Sequence, residues 1–119
     1  NTINKLNEEV NKIIEKEMIG LGLFTEEDVK NQDEENPMYF NYYMHGTSHF
    51  MGLDVHDVGS KDKEFEPGMV MSCEPGIYIP DENLGVRLED DILVTEGDPV
   101  NLFENHPIEP DELEALMAK

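Results

Sequence analysis

The chain has 119 residues, among which 28 Asp and Glu outnumber 8 Lys and Arg, so that the formal net charge is −20. Nucleic acids and anionic membranes attract proteins through basic patches, and this charge argues against both partners. No apolar run approaches the ~20 residues of a membrane-spanning helix. The single cysteine, Cys73, cannot form an intrachain disulfide, and we therefore expect a cytoplasmic protein. The length suits one domain, residues 1–119, with a modest core.

The amino-terminal third of the chain predicts two helices. Apolar residues recur there at helical spacing with charged residues opposite them, which is typical of an amphipathic helix with one buried face. These apolar residues are Leu6, Val10, Ile13, Ile14 and Met18. Glycines at 20 and 22 are expected to end the helix. Thr25 precedes three acidic residues, which predicts the start of a second helix, and an exposed loop should follow at 31–36.

The rest of the chain shows the shorter period of β-structure. Residues 69–79 are apolar and partly β-branched between two Pro-containing pairs, which predicts β-structure, and Pro75-Gly76 are expected to break the ladder after Glu74. Residues 86–94 alternate as one further strand, with Arg87, Glu89 and Asp91 opposite its apolar face. A turn at 96–98 follows, and Pro107 and Pro110 precede a short closing helix. We predict the α+β class, an antiparallel sheet with flanking helices.

Three histidines are candidates for a functional site. His45 and His49 are four residues apart and share a face whether the backbone is helical or extended. His56 lies seven residues beyond His49, so a straight strand would place it on the opposite face. It reaches the same site only if the chain bends, and Gly52 is where a bend costs least.

Two acidic stretches are the other candidates. Glu74, in Glu-Pro-Gly, lies at the end of an apolar strand, where burying a carboxylate is costly without a cation or hydrogen-bond donors. Residues 89–91 are Glu-Asp-Asp; they could form a solvated turn, but the apolar residues that follow favour a place inside a strand. Three acids there repel one another unless a cation offsets them. Carboxylates with an imidazole suit manganese, cobalt or zinc.

Three further residues with potentially reactive side chains are expected to be structural or surface residues rather than catalytic ones. Ser48, between two histidines, is expected to be a hydrogen-bonding residue rather than a nucleophile. His106 is expected to be an ordinary surface residue. Cys73 lies in an apolar run, which favours a small buried side chain over a reactive thiol.

Taken together, these motifs resemble the carboxy-terminal half of the catalytic domain of the pita-bread metallopeptidases, most closely the Xaa-Pro aminopeptidases (aminopeptidase P). The resemblance runs from Tyr42 to Met117 and includes Glu-Pro-Gly-Met at 66–69 and Glu-Pro-Asp-Glu-Leu-Glu-Ala-Leu at 109–116. Prolidase and methionine aminopeptidase share the architecture, and Ser48 within His-Gly-Thr-Ser-His favours the aminopeptidase P branch.

The resemblance implies both a metal site and a reaction. The family holds a pair of divalent ions, usually manganese, with cobalt or zinc as alternatives. The ligands that the resemblance implies are His49, Glu74 and Glu89. The implied catalytic side chains are His45, His56, Glu74 and Arg87. The implied reaction is metal-assisted hydrolysis of the peptide bond before a penultimate proline. In that reaction Glu74 would act as general base toward the attacking water, and His45 and His56 would bind substrate and stabilise the tetrahedral intermediate.

The sequence also departs from the family pattern. The family's two aspartate ligands and a further upstream histidine have no counterpart here, so we expect this chain to be inactive in isolation. Apolar surface left uncovered by half a domain should favour self-association. A non-catalytic pita-bread binding module is the alternative, although retention of the histidines and acids as one set favours the peptidase. A cupin-type barrel fits less well because its clustered His-x-His is absent.

Overall fold

The computed structural model describes residues 1–118, and in them it contains helices and antiparallel strands, as the α+β prediction requires. The α-helices are α1 (Ile3–Gly20), α2 (Glu26–Lys30) and α3 (Pro110–Met117), and short 3-10 turns span Met38–Asn41 and Pro80–Glu82. The strands are β1 (Phe50–Met51), β2 (Val70–Cys73), β3 (Gly76–Ile79), β4 (Leu84–Arg87), β5 (Asp90–Leu93) and β6 (Val100–Asn101). No helix in this part of the chain has the length and hydropathy of a membrane span.

The strands form two antiparallel units. One sheet has the order β1-β2-β5-β6, with Phe50 opposite Met71 and Ser72 opposite Asp91. The other unit is the hairpin β3–β4, in which Gly76 is opposite Arg87. The chain therefore leaves the sheet after Cys73, makes the hairpin, and returns to the sheet at Asp90. The two connections between sheet and hairpin, residues 74–75 and 88–89, lie next to each other.

The strand end predicted at Glu74 within residues 69–79 is confirmed, but the prediction of one strand over 86–94 was wrong. The first run divides into β2 and β3, because Pro75 has no N–H to donate to a ladder. The second divides into β4 and β5, and Glu89 lies between them rather than inside a strand. The apolar residues at 86, 88, 92 and 94 keep one parity across the second break, so periodicity alone could not reveal it.

The predicted helices are present, with one error in the buried face of α1. Thr2 caps α1, and Gly22 adopts a left-handed φ of 78° just beyond its end. Thr25 and Asp28 form a capping box at the start of α2. Ile13 was predicted on the buried face but is 59% exposed, whereas Met18 is fully buried. The closing helix α3 begins at Pro110, as expected.

A small core joins α1 to the segment that leads into the candidate site. Met18, Phe24 and Tyr43 are buried together, and Ile77 of the hairpin packs against them. The hydroxyl of Tyr43 is 2.7 Å from Thr47 Oγ1, and both side chains are fully buried. Burial raises the pKa of Tyr43, and the Thr47 hydrogen bond opposes that rise. This buried pair fixes the backbone just before Ser48 and His49.

We predict that Tyr43→Phe will lower the free energy of unfolding by about 1–3 kcal/mol, because it leaves the buried Thr47 hydroxyl unpaired. The matched control is Tyr43→Phe combined with Thr47→Val, which removes both polar partners and should recover most of the loss. Urea unfolding of the three proteins measures the difference. A double variant less stable than Tyr43→Phe would contradict the assignment.

Candidate metal centre

The three predicted metal ligands converge at the junction between sheet and hairpin. His49, Glu74 and Glu89 each offer one ligand atom, and these atoms all lie within 4.8 Å of one another. His49 immediately precedes β1, Glu74 follows β2, and Glu89 lies between β4 and β5. Because β2 is hydrogen-bonded to both β1 and β5, the antiparallel ladders bring these distant positions together. The structure thus assembles the predicted set, whose role as ligands stays a prediction.

The His49 ring is held in the orientation that metal binding needs. Its Nδ1 is 3.1 Å from the Phe50 carbonyl oxygen, which can only accept a hydrogen bond. Nδ1 therefore carries the proton, and in the neutral ring the lone pair lies on Nε2. Nε2 is 3.2 Å from Glu74 Oε1, so the lone pair faces the acidic side of the site. A backbone carbonyl that fixes the tautomer is the usual support for a metal-ligating histidine.

Glu74 is the most enclosed acid of the set, with 13% of its side chain exposed. Its backbone N–H donates to Thr47 O at 2.8 Å, which places it opposite the histidine segment. Its Oε1 accepts from Ser72 Oγ at 3.1 Å, and its Oε2 is 3.8 Å from Arg87 Nη1. Ser72 Oγ also accepts from the His49 N–H at 3.0 Å, so one serine positions both residues.

His45 is held by the hairpin through a tyrosine that the sequence interpretation missed. Its Nδ1 is 2.9 Å from Gly46 O, so Nδ1 carries the proton and Nε2 accepts from Tyr78 Oη at 2.8 Å. Tyr78 lies over Gly76, where a Cβ would come within 2.8 Å of Oη. The glycine of the Glu-Pro-Gly motif thus makes room for the tyrosine that orients His45.

His56 reaches the site because the chain bends after β1, as predicted. The Gly52 N–H bonds to Asp54 O, the Asp57 N–H returns to Phe50 O, and a Cβ at Gly52 would collide with the Asp57 carboxylate. The His56 ring centre lies 4.3 Å from that of His49, with the rings perpendicular. His56 is exposed at the mouth of the site.

One open cleft of about 310 Å³ is lined by all the predicted site residues except Glu89. Lys61 and Ser48, which were not predicted as site residues, also line it. Lys61 is positioned by α1, since its carbonyl oxygen accepts from the Asn4 N–H at 3.1 Å. One imidazole and two carboxylates with converging donor atoms suit a divalent ion of borderline or hard character. The donor set present therefore fits such an ion.

The sequence interpretation missed three residues of the site, and its expectations for Ser48 and Cys73 need correction. Ser72, Tyr78 and Lys61 were missed, although Ser72 and Glu74 share parity along one strand, which is a usable signal. Ser48 was expected to be a hydrogen-bonding residue, yet its buried Oγ has no partner within residues 1–118.

Cys73 is half-buried rather than fully buried. Burial raises the pKa of its thiol, and the Asp90 and Glu74 carboxylates add to that rise, which is consistent with an unreactive thiol. His106 is exposed beside Phe103, outside the cleft, as predicted.

Comparison with known proteins identifies the family. The model of metallopeptidase family M24 matches residues 1–96. The chain is 40% identical to the Xaa-Pro aminopeptidase of Haemophilus influenzae over 98% of its own length and 30% of that protein's. It is 47% identical to the Escherichia coli enzyme over 64% of this chain and 20% of that protein.

Solved structures agree with the sequence matches. The fold superposes on zinc-substituted E. coli aminopeptidase P in complex with product with a TM-score of 0.79 at 37% identity, covering 98% of this chain and 29% of that one. For the E. coli enzyme with the inhibitor Pro-Leu the TM-score is 0.78 at 36% identity, with the same coverage.

The α+β fold together with the family and structural matches defines the chain as part of a metallopeptidase domain. It belongs to metallopeptidase family M24, and within it to the Xaa-Pro aminopeptidases. The chain spans about 20–30% of the length of these relatives. The family match begins at residue 1, well before the Tyr42 start that the motifs predicted.

We predict that this chain binds Mn²⁺ saturably, at about one ion per chain, in about 0.15 M salt, where diffuse attraction to the net charge is largely screened. His49→Ala should abolish the saturable binding, since it removes the imidazole whose Nε2 lies 3.2 Å from Glu74 Oε1. Affinity should fall as the pH is lowered, because protons compete for the ligands. Isothermal titration calorimetry measures each case.

His106→Ala is the matched control, because it removes an exposed histidine outside the cleft and should leave the binding unchanged. Equal losses from the two substitutions would refute the ligand assignment.

Proposed function

We propose that this chain is the carboxy-terminal, ligand-bearing part of an Xaa-Pro aminopeptidase catalytic domain, whose substrate is a peptide with proline in second position. The observation that supports this most strongly is the convergence of His49, Glu74 and Glu89 within 4.8 Å. A non-catalytic module would have no need to hold a histidine tautomer and an enclosed carboxylate in this geometry. The relatives that it matches are Xaa-Pro aminopeptidases, one of them solved with Pro-Leu.

The proposed cofactor is a pair of divalent ions in the complete domain, with manganese preferred and cobalt or zinc as alternatives. His49, Glu74 and Glu89 would hold their share of the ions. Bound divalent ions polarise the scissile carbonyl and lower the pKa of a water molecule, which supplies the nucleophile. One similar structure is a zinc-substituted enzyme, which supports the divalent character of the proposed site.

The chain's own residues divide the remaining tasks. Glu74 Oε1 faces His49 and Ser72, and its Oε2 faces Arg87. The carboxylate is therefore placed to hold a proton at one oxygen while the other oxygen keeps its neighbour. Tyr78 donates to His45 Nε2, which holds that ring toward the cleft. His56, exposed at the mouth of the cleft, is proposed to contact the substrate and the developing negative charge. His45 can join it only by exchanging its Tyr78 hydrogen bond for a substrate contact, because both of its ring nitrogens are paired in this structure.

We predict that the isolated chain will not release the amino-terminal residue from an Xaa-Pro-Xaa tripeptide, even with excess manganese. Its site offers one imidazole and two carboxylates, and the loss of even one metal-site group typically weakens metal affinity 10–100-fold. Liquid chromatography of the products measures the rate. The full-length H. influenzae Xaa-Pro aminopeptidase, assayed in the same buffer, is the positive control. Turnover by the isolated chain at a rate comparable to that control would overturn the proposal of an incomplete site.

The proposal also includes self-association of this chain, since much of its apolar surface is uncovered. Leu84, Val86 and Leu88 of the β4 segment are at least half exposed. An apolar cavity of about 370 Å³ lies against the sheet, where Met71, Cys73, Ile92 and Val94 form part of its wall. Exposed apolar patches of this kind favour association between chains. A symmetric dimer would cover the same patch on both copies.

We predict dimers at tens of micromolar by sedimentation velocity, and we expect Val86→Glu to shift the population toward monomer. A charge in the exposed hairpin face costs little in the folded monomer but opposes its burial between copies. Val58→Glu, at a 91% exposed loop position outside the hairpin, is the control and should leave the dimer intact. A compact monomer that binds no hydrophobic dye would refute self-association.

A further inference from the structure

The carboxylate of Asp57, the residue after His56, binds loop backbone on both sides of that histidine. Its Oδ2 accepts from the Leu53 N–H at 3.0 Å, and its Oδ1 accepts from the Val58 N–H at 2.8 Å. The Asp57 N–H donates to Phe50 O at 3.0 Å, which ties the loop to β1. One aspartate therefore closes the segment that carries His56 and anchors it to the sheet.

The loop that carries His56 has little apolar support. Asp57 is the one residue in 52–60 that is not exposed. Leu53, Val55 and Val58 are each at least 70% exposed, so their side chains bury little surface that could fix the backbone. The shape of the loop therefore depends chiefly on hydrogen bonds, and those to an ionised carboxylate are roughly twice as strong as neutral ones.

Gly52 leaves the space that the Asp57 carboxylate occupies. A Cβ on Gly52 would collide with Asp57 Oδ2 and lie 2.9 Å from Asp57 Cγ. The three heavy atoms nearest to such a Cβ all belong to Asp57. Gly52 is not among the glycines with a positive φ. The position therefore needs glycine because of the carboxylate, and not because of its backbone conformation.

We propose that Asp57 is a positioning residue, which holds the His56 ring edge-on to the His49 ring at the mouth of the cleft. The two ring centres are 4.3 Å apart and the ring planes are perpendicular. Because His56 is exposed, the place of its ring depends on the backbone that carries it. Asp57 does not line the cleft, so it acts through His56. This inference rests on the proposed function, in which His56 contacts the substrate.

The test is NMR of the full chain without metal, which measures the nuclear Overhauser effect between the ring protons of His49 and His56. We expect Asp57→Ala to abolish this effect, because both acceptor oxygens are lost. Asp57→Asn keeps one acceptor oxygen and should retain a weaker effect. Asp54→Ala is the matched control, since it removes an exposed acid of the same loop, and it should leave the effect intact.

Gly52→Ala tests the same contact from the other side. It should weaken the Overhauser effect and lower the melting temperature, because the new Cβ displaces the carboxylate. In the Asp57→Ala background the Cβ has room, so adding Gly52→Ala should not lower the melting temperature further. Such non-additivity is the signature of two positions in direct contact.

Three results would overturn the inference. They are an Overhauser effect in Asp57→Ala as strong as in the parent, additive losses of melting temperature for Gly52→Ala and Asp57→Ala, and loss of saturable Mn²⁺ binding in Asp57→Ala. The last would show that the carboxylate supports the ligands rather than His56. The proposed function is judged separately by His49→Ala. If that variant keeps saturable binding, the metal site is wrong, whereas the metal-free NMR measurement still decides whether Asp57 holds His56.

Discussion

The carboxylate of Glu74, held where β2 ends, is the constraint on which the candidate site depends. Pro75 interrupts the ladder and turns the chain into the β3–β4 hairpin, while the Glu74 N–H bonds back to Thr47. The carboxylate that emerges there accepts a hydrogen bond from Ser72 and lies 3.8 Å from Arg87, while the His49 lone pair faces it. Without the serine donor and the arginine charge, enclosing the acid would be costly. The same break therefore creates the hairpin and places an acid where an ion could bind.

The hairpin in turn connects the site to the core. Tyr78 reaches from β3 to His45, and Ile77 beside it packs on the Met18, Phe24 and Tyr43 cluster. A disturbance of the core would therefore move His45 relative to Glu74, and Tyr43 of the core also packs edge-on against the His45 ring, with ring centres 4.7 Å apart. Such coupling is expected where catalytic side chains are supported by a rigid, packed shell.

Much of this could be predicted from the sequence, but not the break at Glu89. The helix boundaries followed from Thr25, Gly22 and Pro110, whose capping preferences are local. The ligand set followed from motif resemblance. The end of β2 at Glu74 followed from Pro75 and Gly76. The division at Glu89 did not, because apolar residues keep one parity across it and only the pairing of β5 with β2 decides where β5 begins. The contact between His45 and Tyr78 joins residues far apart in sequence, which no local pattern encodes.

The charge distribution separates the cleft from the rest of the molecule. The net charge of −20 spreads over the exposed surface, yet the cleft combines Arg87 and Lys61 with three imidazoles around a single enclosed glutamate. The diffuse negative field would raise the local concentration of any cation, but salt screens it beyond ~8 Å. What selects one ion at one place is instead the short-range geometry: a fixed His49 tautomer and two carboxylates with converging oxygens. Composition therefore accounts for attraction to cations in general, and the fold accounts for a specific site.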